Sequence, residues 1–179
     1  MVRRDGAERE GSFAWPGDVR AHGGAAPARS PCVTEHDART ATGLYIRPAM
    51  GRPVFEISKE FAFSAAHQIR FHGGKCERLH GHNYRVRVHA TASELNRIGM
   101  VVDFADLQGW VAEVGARFDH RNVNEIPPFD EVNTTAELLA RFFYTEMNRI
   151  LAEREGGRVT VARVDVWENE GSLAVYREE

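Results

Sequence analysis

The chain has 179 residues, 42% of them hydrophobic, which suits one domain or one domain with a tail. A formal net charge of −3 gives no basis for a nucleic-acid partner, and no apolar run approaches the roughly 20 residues that span a bilayer. The N-terminus lacks the apolar block of a secretory signal. Two cysteines, Cys32 and Cys76, do not make a disulfide framework, so the expectation is a reduced, cytoplasmic setting.

Residues 1–49 are rich in Gly, Ala, Arg and Pro, as in Gly23-Gly24-Ala25-Ala26-Pro27, and carry no sustained apolar period. They are expected to form a disordered extension. Met50 stands just before the first strand pattern, which suggests translation starting there. The folded domain is expected over residues 50–179.

From Val54 onward the pattern is structured. Phe55, Ile57, Phe61 and Phe63 alternate with Glu56, Ser58 and Glu60, which predicts a half-buried strand. The same parity brings His67 onto the phenylalanine face. A second strand runs through Tyr84, Val86, Val88 and Ala90, with Arg85, Arg87 and His89 opposite. After Gly99, Phe104, Leu107, Val111, Val114 and Phe118 recur at helical steps, and Asp103 is a fair N-cap. A second helix is predicted to open at Thr134, where Thr134 and Glu137 have capping-box spacing. Leu138, Leu139, Phe142, Phe143, Met147 and Ile150 form its buried stripe, and Gly156-Gly157 ends it. In the next strand Ala162, Val164, Val166 and Glu168 share one face against Arg163, Asp165 and Trp167. After Gly171, Leu173 and Val175 mark the last strand. The order β-β-α-α-β-β predicts an α+β domain, a four-stranded antiparallel sheet with two helices on one face.

His80-Gly81-His82 is the sharpest local feature. Residues two apart in extended chain project to the same side, so both imidazoles can meet one ion. His67, delivered from the preceding strand, is the natural third ligand. Three protein nitrogens and an open fourth position describe a catalytic zinc site. An isolated His-x-His is more often incidental, and the chain holds eight histidines. His22, His36, His72 and His89 are assigned no role. Cys76, four residues before His80, is either a buried inert thiol, a fourth ligand that would close the site, or a reactive thiol with polar neighbours Lys75, Glu77 and Arg78.

These residues together resemble a known family. Phe63-Ser64-Ala65-Ala66-His67, then Cys76-x-x-x-His80-Gly81-His82-Asn83-Tyr84, is similar to the 6-pyruvoyltetrahydropterin and 6-carboxytetrahydropterin synthases. Gly99-Met100-Val101-Val102-Asp103-Phe104, Asp119-His120-Arg121-Asn122, Thr134-Thr135-Ala136-Glu137 and Glu168 follow in the family's order. The resemblance covers about residues 54–177. It implies a tunnelling fold (T-fold), assembled as a homohexamer of two stacked trimers with active sites between subunits. It implies zinc (Zn2+) on His67, His80 and His82, and Cys76 as the catalytic thiol. Asp119 and His120 would tune and relay protons. Glu168 would anchor the pterin ring, and Thr134, Thr135 and Glu137 would line its pocket. Each also has a plain structural reading: a loop pair for Asp119-His120, a helix cap for Thr134-Thr135, a salt bridge for Glu168. The chain departs from the family at Asn169, where Thr is usual, and at Thr134, where bacterial members commonly have Pro.

The short Cys-x-x-x-His spacing resembles the bacterial 6-carboxytetrahydropterin synthases. Animal 6-pyruvoyl enzymes have a longer insertion there, and a folate-directed subgroup has Glu in place of Cys76. The implied substrate is 7,8-dihydroneopterin triphosphate, and the products are 6-carboxytetrahydropterin, acetaldehyde and triphosphate, in queuosine or 7-deazapurine synthesis. The alternatives are a 6-pyruvoyltetrahydropterin synthase or sister aldolase, and a non-catalytic zinc or pterin binder.

Overall fold

The computed structural model describes residues 51–179. The expectations for residues 1–49, and for a start at Met50, lie outside the described residues. Seven elements follow one another: β1 (Phe55–His67), β2 (His80–Ala92), α1 (Phe104–Gly115), β3 (Arg121–Asn122), α2 (Ala136–Glu155), β4 (Thr160–Asn169) and β5 (Ser172–Tyr176). The strands form one sheet in the order β3-β1-β2-β4-β5. α1 packs on β1, and α2 on β4 and β5, so the α+β class and the helix-covered sheet are as expected. No described helix is long and apolar enough to cross a membrane.

The sheet differs from expectation in its fifth strand. β3 is two residues long and runs parallel to β1, pairing Ala65 with Arg121 and Ala66 with Asn122. Two residues are too short to show a period in sequence, and the partner lies far along the chain. β3 is the middle of a longer seal on the edge of β1. Before it, Ser64 N donates to Asp119 Oδ1 at 3.1 Å, and Ser64 O accepts from His120 N at 2.6 Å. After it, side-chain amides replace the missing strand. Asn124 accepts from Gln68 N at 2.8 Å and donates to Gln68 O at 2.9 Å. Asn133 treats Arg70 in the same way, at 2.8 and 3.1 Å.

The core lies between the sheet and the helices. Tyr84, Val86, Val88 and Ala90 are fully buried along β2, each such side chain larger than Ala contributing about 1.5–3 kcal/mol. They meet Phe63, Leu107, Val111, Phe118, Leu139, Phe143 and Met147. On the opposite face His89 is also buried, its Nδ1 2.9 Å from Glu56 Oε1 and its Nε2 2.9 Å from Asp165 Oδ2. It thus ties β1, β2 and β4 together across the polar face.

Asp103 caps α1 as its sequence suggests, accepting from Ala105 N at 2.7 Å, and Gly156 ends α2 in the left-handed region with φ 62°. The start of α2 is a correction. The N-cap is Thr135, not Thr134, with Thr135 Oγ1 accepting from Leu138 N at 3.4 Å. Thr134 is turned inward and its hydroxyl is committed elsewhere. β4 also breaks its predicted parity. Its register against β2 shifts between His89 and Ala90, so Val161 rather than Ala162 joins the core.

Close approach of α1 to β1 depends on Gly115. A Cβ built there would lie 2.3 Å from the ring of Phe61. Gly115→Ala should therefore lower stability, by about 1–3 kcal/mol from overpacking, measured by chemical denaturation; an unchanged midpoint would show that Phe61 swings aside without cost.

Candidate metal centre

β1 and β2 pair antiparallel without a bulge, His67 opposite His80, Ala65 opposite His82 and Phe63 opposite Tyr84. Side chains alternate across a strand, so the three imidazoles and Tyr84 share the helix-side face. Ring centroids are 4.5 Å apart for His67 and His80, 5.1 Å for His67 and His82, and 5.0 Å for His80 and His82. One ligand atom from each lies within 4.8 Å of the others.

The backbone sets which nitrogens face inward. His67 Nδ1 is 2.9 Å from Thr134 O, which can only accept, so Nδ1 carries the proton. His80 Nδ1 stands 2.7 Å from Arg78 O in the same relation. Nε2 of each is left with a lone pair. His67 Nε2 is buried and has no hydrogen-bond partner. A buried, unpartnered imidazole nitrogen facing two further imidazoles is the arrangement that a borderline divalent cation satisfies, so the donor set fits zinc.

Burial drives the electrostatics. It lowers the pKa of His67 from 6.5 to about 4, partly opposed by the Thr134 carbonyl and reinforced by the neighbouring His80 and His82. Burial likewise lowers His82, against the pull of Glu168. Both shifts favour the neutral form that binds metal. Beneath the imidazoles, Tyr84 stacks on Phe63 at 5.1 Å and presents its ring to His67 at 5.7 Å and to His82 at 5.5 Å. Its hydroxyl is buried without a partner, and burial together with Glu168 holds the phenol above its ordinary range. The sequence marked Tyr84 only as core, although its two-residue spacing from His82 already placed it on this face.

Glu168 reaches the centre from β4. The β4–β5 register shifts between Trp167 and Asn169, so Glu168 stands at the irregularity. Its Oε1 is 4.0 Å from His67 Nε2. A recess of about 480 Å³ opens beside it, lined by Thr135, Glu137, Glu168, His72 and Leu173. His72 joins this wall from an exposed loop, with no sequence signal to announce it. Thr134, fully buried, is not part of the wall.

Cys76 sits half-buried in a short 3-10 turn, Lys75–Glu77, between β1 and β2. Its carbonyl accepts from Ile69 N at 2.8 Å, which fixes the turn two residues beyond His67. Asp119 and His120 form a direct pair, with Oδ1 2.9 Å from Nδ1. Neighbours in regular strand point apart; here His120 adopts the left-handed region at φ 57°, which folds the pair together. The Ser64 amide first, and His120 after it, hold the Asp119 carboxyl below its usual range. His120 lines a different recess, of about 510 Å³, with Ser64, Gly81, His82 and Asn83. A roomier recess of about 820 Å³ lies beside Arg141, Tyr144, Arg149 and Thr160, away from the imidazoles. Arg149 there is engaged by Glu146 and Glu153, and no metal-ligand cluster other than the three histidines occurs among the described residues.

The shift on His67 has a pH signature. An unfolded chain takes up a proton on this residue near pH 6.5, and the folded protein only near pH 4. The stability contributed is therefore complete above pH 6.5 and is lost as pH falls towards 4, at most about 1.4 kcal/mol per pH unit. Denaturation of metal-free protein across this range should show the slope, and His67→Gln should flatten it; an identical slope in the variant would assign the effect to other groups.

The sequence profile of the family described as 6-pyruvoyl tetrahydropterin synthase matches residues 56–179. A Haemophilus influenzae protein named 6-carboxy-5,6,7,8-tetrahydropterin synthase is 32% identical over 151 residues, covering 70% of this chain and all (100%) of that protein. A Synechocystis protein of the same name is 34% identical over 125 residues, covering 67% of this chain and 91% of that one. Among solved structures, 6-pyruvoyl tetrahydropterin synthase from Caenorhabditis elegans superposes with a TM-score of 0.62 at 24% identity, over 71% of this chain and 97% of that chain, and so shares the fold. With its profile match spanning both helices and, Phe55 apart, every strand of the sheet, the chain belongs to the 6-pyruvoyl tetrahydropterin synthase family.

Proposed function

We propose that the protein is a zinc-dependent 6-carboxy-5,6,7,8-tetrahydropterin synthase, a carbon–carbon lyase acting on 7,8-dihydroneopterin triphosphate. The observation that carries this reading is the three-imidazole centre beside a carboxylate-lined recess, in a chain whose bacterial relatives bear that name. The short Cys76-to-His80 spacing supports the carboxypterin product over the pyruvoyl one.

His67, His80 and His82 hold the metal. When bound, zinc supplies Lewis acidity to the oxygens of the substrate side chain. Glu168 accepts from the ring and amino N–H groups of the pterin, orienting the side chain towards the imidazoles. Thr135 and Glu137 close the same recess. Cys76 removes or shuttles a proton, and His120 exchanges it. Asp119 accepts from His120 Nδ1, leaving Nε2 for that exchange. Lys75 and Arg78 are exposed beside Cys76 and meet the triphosphate.

His120 and Glu168 line different recesses of one chain, and His120 is 82% exposed. This supports a site completed by a second subunit in a homohexamer of two trimers. Among the described residues, Phe55–Phe63 of β1 and all of β5 have a neighbour on one side only, leaving two edges for joining sheets. The free thiol of Cys76 is consistent with a cytoplasmic setting.

Zinc-loaded protein incubated with dihydroneopterin triphosphate should release acetaldehyde and 6-carboxytetrahydropterin; a pyruvoyl product would overturn the assignment in favour of the sister reaction. Cys76→Ala should lower turnover by about 10²–10⁴-fold with zinc content unchanged, and full activity would remove the thiol from the mechanism. Native mass spectrometry should give six times the mass of the subunit, whereas a monomer active at all dilutions would exclude the shared site.

A further inference from the structure

Thr134 lines none of these recesses, yet it is fully buried, and both its carbonyl and its hydroxyl face the segment carrying His67. Its carbonyl lies 2.9 Å and its Oγ1 3.1 Å from His67 Nδ1. Its hydroxyl proton is committed, since Oγ1 donates to Gln68 O at 3.0 Å. Gln68 O is itself fixed by Asn124 Nδ2 at 2.9 Å, while Asn124 Oδ1 accepts from Gln68 N at 2.8 Å. The directions of all these bonds are thereby set. With its proton spent on Gln68, Oγ1 offers His67 only lone pairs, as the carbonyl does.

We infer that Thr134 is a positioning residue for the metal centre: its carbonyl and hydroxyl together hold His67 in the Nδ1–H tautomer and aim the Nε2 lone pair at the ion. The inference rests on the zinc reading above. The opposite tautomer would set the Nδ1 lone pair against two acceptors within 3.1 Å and would place a proton on Nε2, where the ligand electrons are needed. Rotation of the ring is resisted by the same pair of contacts, one on each side of the Thr134 backbone–side-chain fork. Fixing a metal-bound histidine through its second nitrogen is a general means of raising affinity. Here the fixing group is one residue before Thr135, which caps α2 and lines the recess, so ligand orientation and recess wall are set by consecutive residues.

The test is zinc affinity, by chelator competition at fixed pH, for wild type, Thr134→Val and Thr134→Ser. T134V keeps the shape and the carbonyl but loses the hydroxyl, and should bind zinc about 10-fold more weakly. T134S restores the hydroxyl and should bind close to wild type. Equal affinity of wild type and T134V overturns this inference alone; a wild type that takes up no zinc overturns the zinc reading and this inference with it. A second measurement holds even where T134V fails to fold. Long-range proton–nitrogen NMR of the metal-free wild type should show His67 protonated at Nδ1 at neutral pH, and an Nε2–H signal overturns the proposal.

Discussion

The thirteen-residue antiparallel pairing of β1 with β2 is the constraint from which the rest follows. It runs from Phe55 opposite Ala92 to His67 opposite His80 with no interruption. Since side chains alternate, a slip of one residue in either strand would send its whole set to the other face. The buried set at the centre of the sheet, Phe63, Tyr84, Val86 and Val88, therefore fixes the register for the histidines at its end. Hydrophobic burial in the core thus selects the geometry of a polar site roughly two residues beyond it. The same burial strips water from His67 and keeps it neutral.

A second layer of control comes from outside the sheet. The chain from Ser64 to Arg70 is held on its free side by Asp119, His120, β3, Asn124 and Asn133, in that order. Arg70 then draws the same loop inward, donating to the carbonyls of Val132 at 2.8 Å, Phe129 at 3.0 Å and Asp130 at 2.9 Å. Asp119 has two duties in this arrangement: its Oδ1 receives the Ser64 amide and also faces His120. The left-handed backbone of His120 makes both contacts compatible. Placement of the Asp119–His120 pair is consequently tied to the strand that supplies His67.

The sequence made legible whatever depends on short-range pattern. Alternation gave β1 and β2, helical spacing gave α1 and α2, and Asp103 and Gly156 marked two helix ends where the structure has them. The three histidines could be grouped because strand parity and the His-x-His spacing both act locally. What escaped depends on partners 55 to 67 residues away. Thr134 looked like a cap because Thr-x-x-Glu is a capping pattern, but its side chain found His67 and Gln68, and Thr135 took the cap. β3 was too short to carry a period. The irregularities near Ala162 and Glu168 depend on register against neighbouring strands, which no single strand encodes. The part of the site supplied by His72 and by the Tyr84 hydroxyl required the packed molecule.

The asparagine contacts on Gln68 and Arg70 also bear on which parts of β1 can exchange partners. A strand edge with unpaired amides is a template that any extended segment can capture. From Ser64 to Arg70 that template is already filled, by side chains that bring no new edge of their own. From Phe55 to Phe63 no second strand pairs with it, and Gln108 Nε2 donates to Glu60 O at 3.0 Å. β1 is thus divided lengthwise into a recruiting half and an insulated half. His67 lies in the insulated half, so strand exchange, whether productive assembly or aggregation, is confined to the end of β1 away from the three imidazoles.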